Sequence, residues 1–261
     1  MKANILLIFF LILMVSTIKG QNQDSLSNKK TYSVNIRFGQ NQIKEMNLFP
    51  MVHKGMVTEL SFETEKVKNS LRQFQLLFTY SRIKTSLEEM AKSANIRFGL
   101  NYSYSYMIFQ KHNLRYYAGP QASLCYSFML YPNWDESHNY WADYLSFGAN
   151  NVLSVSFRRE NEWFTSLNFS LFSFFSRPDE IRPYKMDDYS LNGVLRAFNS
   201  NIESGLMNKV LQINFRTEYR FPVFVAKREA ITFNMDIIRM SRNGGNPVFQ
   251  LINRFGVKIM L

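Results

Sequence analysis

Cysteine is almost absent from this 261-residue chain. The single residue, Cys125, excludes an internal disulfide, the staple on which small exported domains usually rely. Long apolar runs are equally scarce. Beyond the first twenty residues no segment approaches eighteen consecutive apolar residues, so no later membrane-spanning helix is expected. Histidine occurs three times, at His53, His112 and His138. No glycine-rich phosphate loop, zinc pattern or nucleotide fingerprint is present, and neither a cofactor nor a metal is expected. Acids are outnumbered, with 20 Asp and Glu against 31 Lys and Arg, a formal charge of +11. The arginines are interleaved with apolar residues instead of gathered in one run, which argues against nucleic acid as a partner.

What is present is apolar and aromatic. At 46% hydrophobic and 16% aromatic residues, the chain is far from the composition of disordered proteins. Its length suits one large or two small domains. Mean hydropathy is only −0.22, which weighs against a helical membrane protein. It does not weigh against a membrane barrel, where only every second residue need be apolar.

The first twenty residues, "MKANILLIFFLILMVSTIKG", place Lys2 before an apolar run from Ile5 to Val15, then Ser16, Thr17 and Gly20. This is the order of a secretory signal peptide. Cleavage is expected after Gly20, leaving Gln21 first and reducing the formal charge to +9 by removal of Lys2 and Lys19. No cysteine lies near the cut, so a lipoprotein anchor is not expected. Residues 1–20 are thus read as signal and 21–261 as a single mature domain.

In that domain, alternation dominates. "KVLQINFRTEYRF" (209–221) sets Leu211, Ile213, Phe215, Tyr219 and Phe221 against Gln212, Asn214, Arg216, Glu218 and Arg220. A period of two puts these sets on opposite faces of a sheet. Similar alternation marks 55–66, 71–82, 94–109, 114–130, 144–158, 162–175, 229–240 and 248–261. Residues 31–54 read as a weak first strand, 31–39, followed by a loop. The strands exceed the ~5–6 residues common in globular proteins and suit the ~9–11 residues of a tilted transmembrane strand. Short polar turns near 67–70, 110–113, 159–161 and 226–229 alternate with longer connections near 40–54, 83–93, 131–143, 176–208 and 241–247. That sorting of connections by end is expected of an outer-membrane barrel.

The chain resembles the small outer-membrane β-barrel proteins of Gram-negative bacteria, and the glutamine after the signal is similar to many from Bacteroidota. The residues carrying the resemblance are the signal, the alternating strands and the terminal "VFQLINRFGVKIML". There Phe249, Leu251, Phe255, Val257, Ile259 and Leu261 share one parity, similar to the C-terminal insertion signal of such proteins. That signal commonly ends in an aromatic, whereas this chain ends in Leu261. The fold class expected is all-β, an antiparallel transmembrane β-barrel of about ten strands, with eight to twelve compatible. Its turns would be periplasmic and its long loops, 176–208 the longest, extracellular. The location implied is the outer membrane.

Ten strands lie near the size that side chains can fill. The expected lumen-lining residues are Glu59, Glu63, Arg72, Arg82, Arg97, Arg115, Arg158, Arg216, Glu218, Arg220, Asp236, Arg254 and Lys258. They would form either a salt-bridged plug, making the protein a structural or accessory subunit of an envelope complex, or a narrow anion-preferring pore. Lipopolysaccharide phosphates and polar lipid heads are the expected partners of loop and rim cations, with other envelope proteins beside them. A third alternative is a hydrolase acting on lipid or lipid A through His138. "WDESHNYW" (134–141) brings Asp135, Ser137 and His138 together. Neighbouring Ser137 and His138 would point opposite ways in an extended chain, so a serine from elsewhere, such as Ser173 or Ser176, would have to join the histidine. Trp134, Tyr140, Trp141 and Tyr144 read instead as an interfacial girdle. The acids of 175–193, with Asp187 and Asp188, supply too few oxygens for Ca²⁺; a structured loop over the mouth or into the lumen is expected there.

Overall fold

A computed structural model describes residues 29–45, 49–84, 92–130, 140–157, 161–177, 190–199, 202–224, 227–241 and 247–261. The strands in chain order are β1 (Lys29–Glu45), β2 (Phe49–Val67), β3 (Ser70–Lys84), β4 (Ser93–Lys111), β5 (Leu114–Leu130), β6 (Tyr140–Trp141), β7 (Asp143–Phe157), β8 (Asn161–Ser176), β9 (Glu203–Leu206), β10 (Val210–Phe224), β11 (Lys227–Met240) and β12 (Val248–Met260). Among the described residues one helix, α1 (Leu191–Phe198), precedes β9.

Ten strands form a closed antiparallel ring, in the order β10-β11-β12-β1-β2-β3-β4-β5-β7-β8, with β8 pairing back onto β10. β6 pairs only with β5. β9 continues the line of β10 along β8 beyond the turn 207–209. Closure gives every barrel strand two neighbours, the only arrangement that satisfies sheet backbone within hydrocarbon. The chain leaves the barrel at the end where it enters: the amide of Leu261 donates to the carbonyl of Tyr32 at 2.8 Å. The tight connections 68–69 and 112–113 lie at that same end. His112 turns the chain there with φ 48, a left-handed conformation suited to a two-residue hairpin.

Residues 40–54 differ from the expected loop. β1 runs to Glu45 and β2 begins at Phe49, so the sheet continues through most of that stretch. Residues 40–44 carry Gln40, Gln42 and Lys44 outward and Asn41 and Ile43 inward; with both faces largely polar, no alternation marks the strand. A bulge opposite Phe147 and Gly148 adds Leu171 to β8, shifting the inward parity from Ser166 and Ser170 to Ser173 and Phe175.

The faces are inverted relative to a water-soluble barrel. Ile36, Phe38, Leu60, Phe78, Leu167, Ile231 and Phe255 point outward, Phe255 being 62% exposed. Arg37, Glu59, Arg216, Glu218, Arg220 and Arg254 are buried inside. Near the turn end, Tyr32, Tyr104, Tyr106, Trp163, Tyr219 and Phe221 form an aromatic band. Tyr104 and Tyr106 meet edge to face at 4.9 Å, and Trp163 lies 6.0 Å from Tyr219.

Candidate functional site: the charged lumen

Three layers fill the barrel. At the loop end, Ile43, Ile83, Cys125, Met129, Tyr140, Tyr144, Phe175, Val210, Ile238, Met240 and Val248 form one buried apolar cluster, drawn from β1, β3, β5 to β8 and β10 to β12. Trp141 is buried as well, its Nε1 donating to Ser176 Oγ at 3.5 Å. Tyr140, Trp141 and Tyr144 therefore do not form the expected interfacial girdle. β6 is seated on β5; the Tyr140 and Tyr144 rings lie within the mouth, whereas Trp141, opposite Phe128 on the other parity, is buried beside Ser176. Trp134 lies outside the described residues.

An amide and hydroxyl layer follows. Asn41 Nδ2 donates to Ser81 Oγ at 2.8 Å, Asn95 Nδ2 to Ser127 Oγ at 3.1 Å, and Gln250 Nε2 to Asn41 Oδ1 at 3.1 Å. These short polar side chains are inward residues of strands whose outer faces meet lipid, so hydrogen bonds between nearby strands along the inner wall are what satisfies them.

Below lies a continuous ion-pair network. Arg97 donates to Cys125 Sγ at 2.9 Å, to the Tyr144 hydroxyl at 2.9 Å and to Asp236 at 3.1 Å. Asp236 also pairs with Arg254, which pairs with Glu59, and Glu59 pairs with Arg37. Arg37 reaches Glu63 at 3.3 Å, and Glu63 accepts from Arg216 and from Lys258, the latter at 2.8 Å. Glu218 is shared by Arg216, Lys258 and Arg220. Arg220 continues to Glu65 at 2.9 Å and to Glu162 at 3.3 Å, where Arg115 also binds at 3.3 Å. Seven cations (Arg37, Arg97, Arg115, Arg216, Arg220, Arg254, Lys258) thus meet six carboxylates (Glu59, Glu63, Glu65, Glu162, Glu218, Asp236), leaving one excess positive charge. Such pairs repay the desolvation of their charges only when closely fitted, and removing one partner typically costs ~3–5 kcal/mol.

Free space within this part of the lumen is small. Two cavities of about 20 and 40 Å³ lie among Gln75, Asn101, Asn168 and Asn214, room for isolated waters and no more. A wider cavity of about 450 Å³ opens at the turn end, between Glu65, Leu71, Arg115, Tyr117, Phe164 and Arg220.

Most expected lumen residues are where alternation puts them: Glu59, Glu63, Arg97, Arg115, Arg216, Glu218, Arg220, Asp236, Arg254 and Lys258 all face inward. Arg72 and Arg82 do not. Both share the even parity of Phe74, Leu76, Phe78 and Tyr80, so they lie on the outer wall. The Arg72 guanidinium sits 4.8 Å from the Tyr104 ring, and Arg82 Nε donates to the Tyr80 hydroxyl at 3.1 Å. Arg158, and the Asp135, Ser137 and His138 group, lie outside the described residues, as do Asp187 and Asp188. Ser173 and Ser176 are both buried; Ser173 falls on the inward parity of β8 with Phe175, and Ser176 on the other.

Three network members escape the sequence reading. Arg37 is completely buried; it shares the odd parity of Ser33, Asn35, Gly39 and Asn41, a polar set that could have revealed it. Glu65 and Glu162 sit at strand ends, where alternation gives least information.

A closed ten-stranded barrel with an apolar outer belt, an aromatic band and a polar interior defines the class: an outer-membrane β-barrel. Among solved structures, the chain is similar to the outer membrane protease OmpT from Escherichia coli, at 7% identity and a TM-score of 0.48, covering 92% of this chain and 99% of that one. It is similar to Neisserial surface protein A at 10% identity and a TM-score of 0.37, covering 88% and 98%. It is also similar to the translocator domain of the autotransporter NalP from Neisseria meningitidis, at 8% identity and a TM-score of 0.44, covering 99% and 96%. No protein-family model and no curated protein matches the chain. These likenesses concern the barrel alone and carry no activity.

Proposed function

We propose that this barrel is a non-enzymatic structural or accessory subunit of an envelope complex, working through its surfaces and not through its lumen. The observation that carries the reading is the filled interior. An apolar cluster from nine strands seals the loop end, and a nearly neutral ion-pair network occupies the middle. The anion-preferring pore is disfavoured on the same ground, since the lumen cations already hold carboxylates and the wide cavity is confined to one end. A lipid hydrolase is disfavoured because Ser173 and Ser176, the serines that His138 would need, are buried.

Two measurements on the full-length protein test this. Purified, folded barrel in planar bilayers is expected to give no conductance steps, and mild detergent extraction of native membranes is expected to recover it with a stoichiometric envelope protein. Reproducible anion-selective steps would return the pore reading.

A further inference from the structure

The seven cations of the lumen network are each paired with a carboxylate; a second group, on the outer wall, is not. Lys44 near the end of β1, Lys54 near the start of β2, and Arg82 and Lys84 at the end of β3 are exposed on the outward parity at the loop end. The register brings them together. Lys54 lies directly opposite Lys84, Met56 opposite Arg82, and Gln42 opposite Lys54. Like charges facing each other across a ladder are destabilising. Among the described residues, no carboxylate pairs with any of the four. Arg82 is oriented by its hydrogen bond to the Tyr80 hydroxyl.

Their surroundings are also specific. Gln40 and Gln42, joined at 3.0 Å, add outward amides on β1 beside Lys54, able to donate to and accept from sugar hydroxyls and acyl amides. Towards the membrane centre the wall becomes apolar at once, with Met56 71% exposed, followed by Phe38 and Phe78. β2 has 19 residues, against the ~9–11 that a transmembrane strand requires, so this end of the sheet reaches the headgroup level and beyond. Phosphate-binding cations, hydrogen-bonding amides and an acyl-chain surface thus follow one another in the order of a phosphorylated glycolipid standing in the leaflet.

We propose that the outer wall of β1, β2 and β3 at the loop end binds a phosphorylated glycolipid of the outer leaflet, its phosphates held between Lys44, Lys54, Arg82 and Lys84 and its chains laid on Met56 and Phe38. An anion there converts the Lys54–Lys84 repulsion into two attractive contacts, and charge-assisted bonds to phosphate are the strong class. The proposal depends on the membrane-barrel fold and is independent of the accessory role.

The test is native mass spectrometry of the detergent-solubilised full-length protein titrated with diphosphorylated lipid A. The wild type is expected to retain one lipid A. The variant with Lys44→Gln, Lys54→Gln, Arg82→Gln and Lys84→Gln is expected to bind at least ten-fold more weakly, while Lys111→Gln, at the opposite end, leaves binding unchanged. The single variant Lys84→Gln, checked for folding by its heat-modifiable migration, keeps the test decisive if the quadruple variant does not fold; a loss of several-fold is expected. Phosphatidylglycerol is expected to compete poorly, and inorganic phosphate not at all. Equal binding by wild type and both variants overturns the proposal, as does equal retention of phosphatidylglycerol and lipid A.

Discussion

Arg216 grips Glu63 with both arms of its guanidinium, Nη1 to Oε1 at 2.8 Å and Nη2 to Oε2 at 2.5 Å, across 153 residues of sequence. Four strand steps around the ring separate β10 from β2, so this fork spans the lumen and ties opposite walls together. Planar bidentate pairing of this kind adds geometric specificity to charge.

Glu63, like Glu218, meets three cations, in its case Arg37, Arg216 and Lys258. Glu63→Ala leaves three buried cations short of a carboxylate and is expected to cost about 3–5 kcal/mol. Arg37→Ala is expected to cost less, because Glu59 keeps Arg254 and Glu63 keeps Arg216 and Lys258. Urea unfolding of the barrel in lipid vesicles measures both. Equal costs, or a Glu63→Ala cost below about 1 kcal/mol, would show that the network contributes little.

Phe215 and Asn214 distinguish the two faces. Phe215→Arg puts a charge against lipid and is expected to cost ~2–4 kcal/mol near the midplane. Asn214→Arg enters a filled lumen, where Asn214 donates to Asp236 and accepts from Asn168 at 3.2 Å; the expected penalty comes from crowding. Labelling separates lipid exposure from burial. With Cys125→Ser in place, Phe215→Cys is expected to react with a lipid-soluble maleimide and to resist a membrane-impermeant one. Resistance to both reagents in native membranes would place Phe215 in a packed core.

Location follows from the inverted faces. The protein is expected to sediment with outer membranes and to migrate faster on gels unboiled than boiled, because closed barrels resist unfolding in detergent. Recovery in the soluble periplasmic fraction would contradict the lipid-facing belt.

Gly256 marks a close approach. A Cβ there would lie 2.0 Å from the carbonyl oxygen of Ile36 and 2.7 Å from Arg37 Cγ. Gly256→Val is therefore expected to displace Arg37 from Glu59 and to lower the folded, heat-modifiable fraction markedly. An unchanged folded fraction would mean that the β12–β1 seam can open to admit a side chain.

The sequence by itself determined the class of fold, because strand periodicity is a local property. Each residue's parity follows from its own neighbours, and Leu211 to Phe221 already separate lipid-facing from lumen-facing sets. The same logic would have placed Arg72 and Arg82 outside and Arg37 inside, had parity alone been followed. Where alternation lapses, as at 40–45 with polar residues on both faces, the strand could not be read. Tertiary structure alone decided which charges meet. Arg216 reaches Glu63, and Arg254 reaches Glu59, only because β12 pairs with β1 and the ring closes in one register, and contacts that depend on that closure are set by no feature of either segment. For the same reason Tyr140 and Tyr144 fill the mouth: a ring of this size leaves apolar space at its loop end that aromatic side chains occupy.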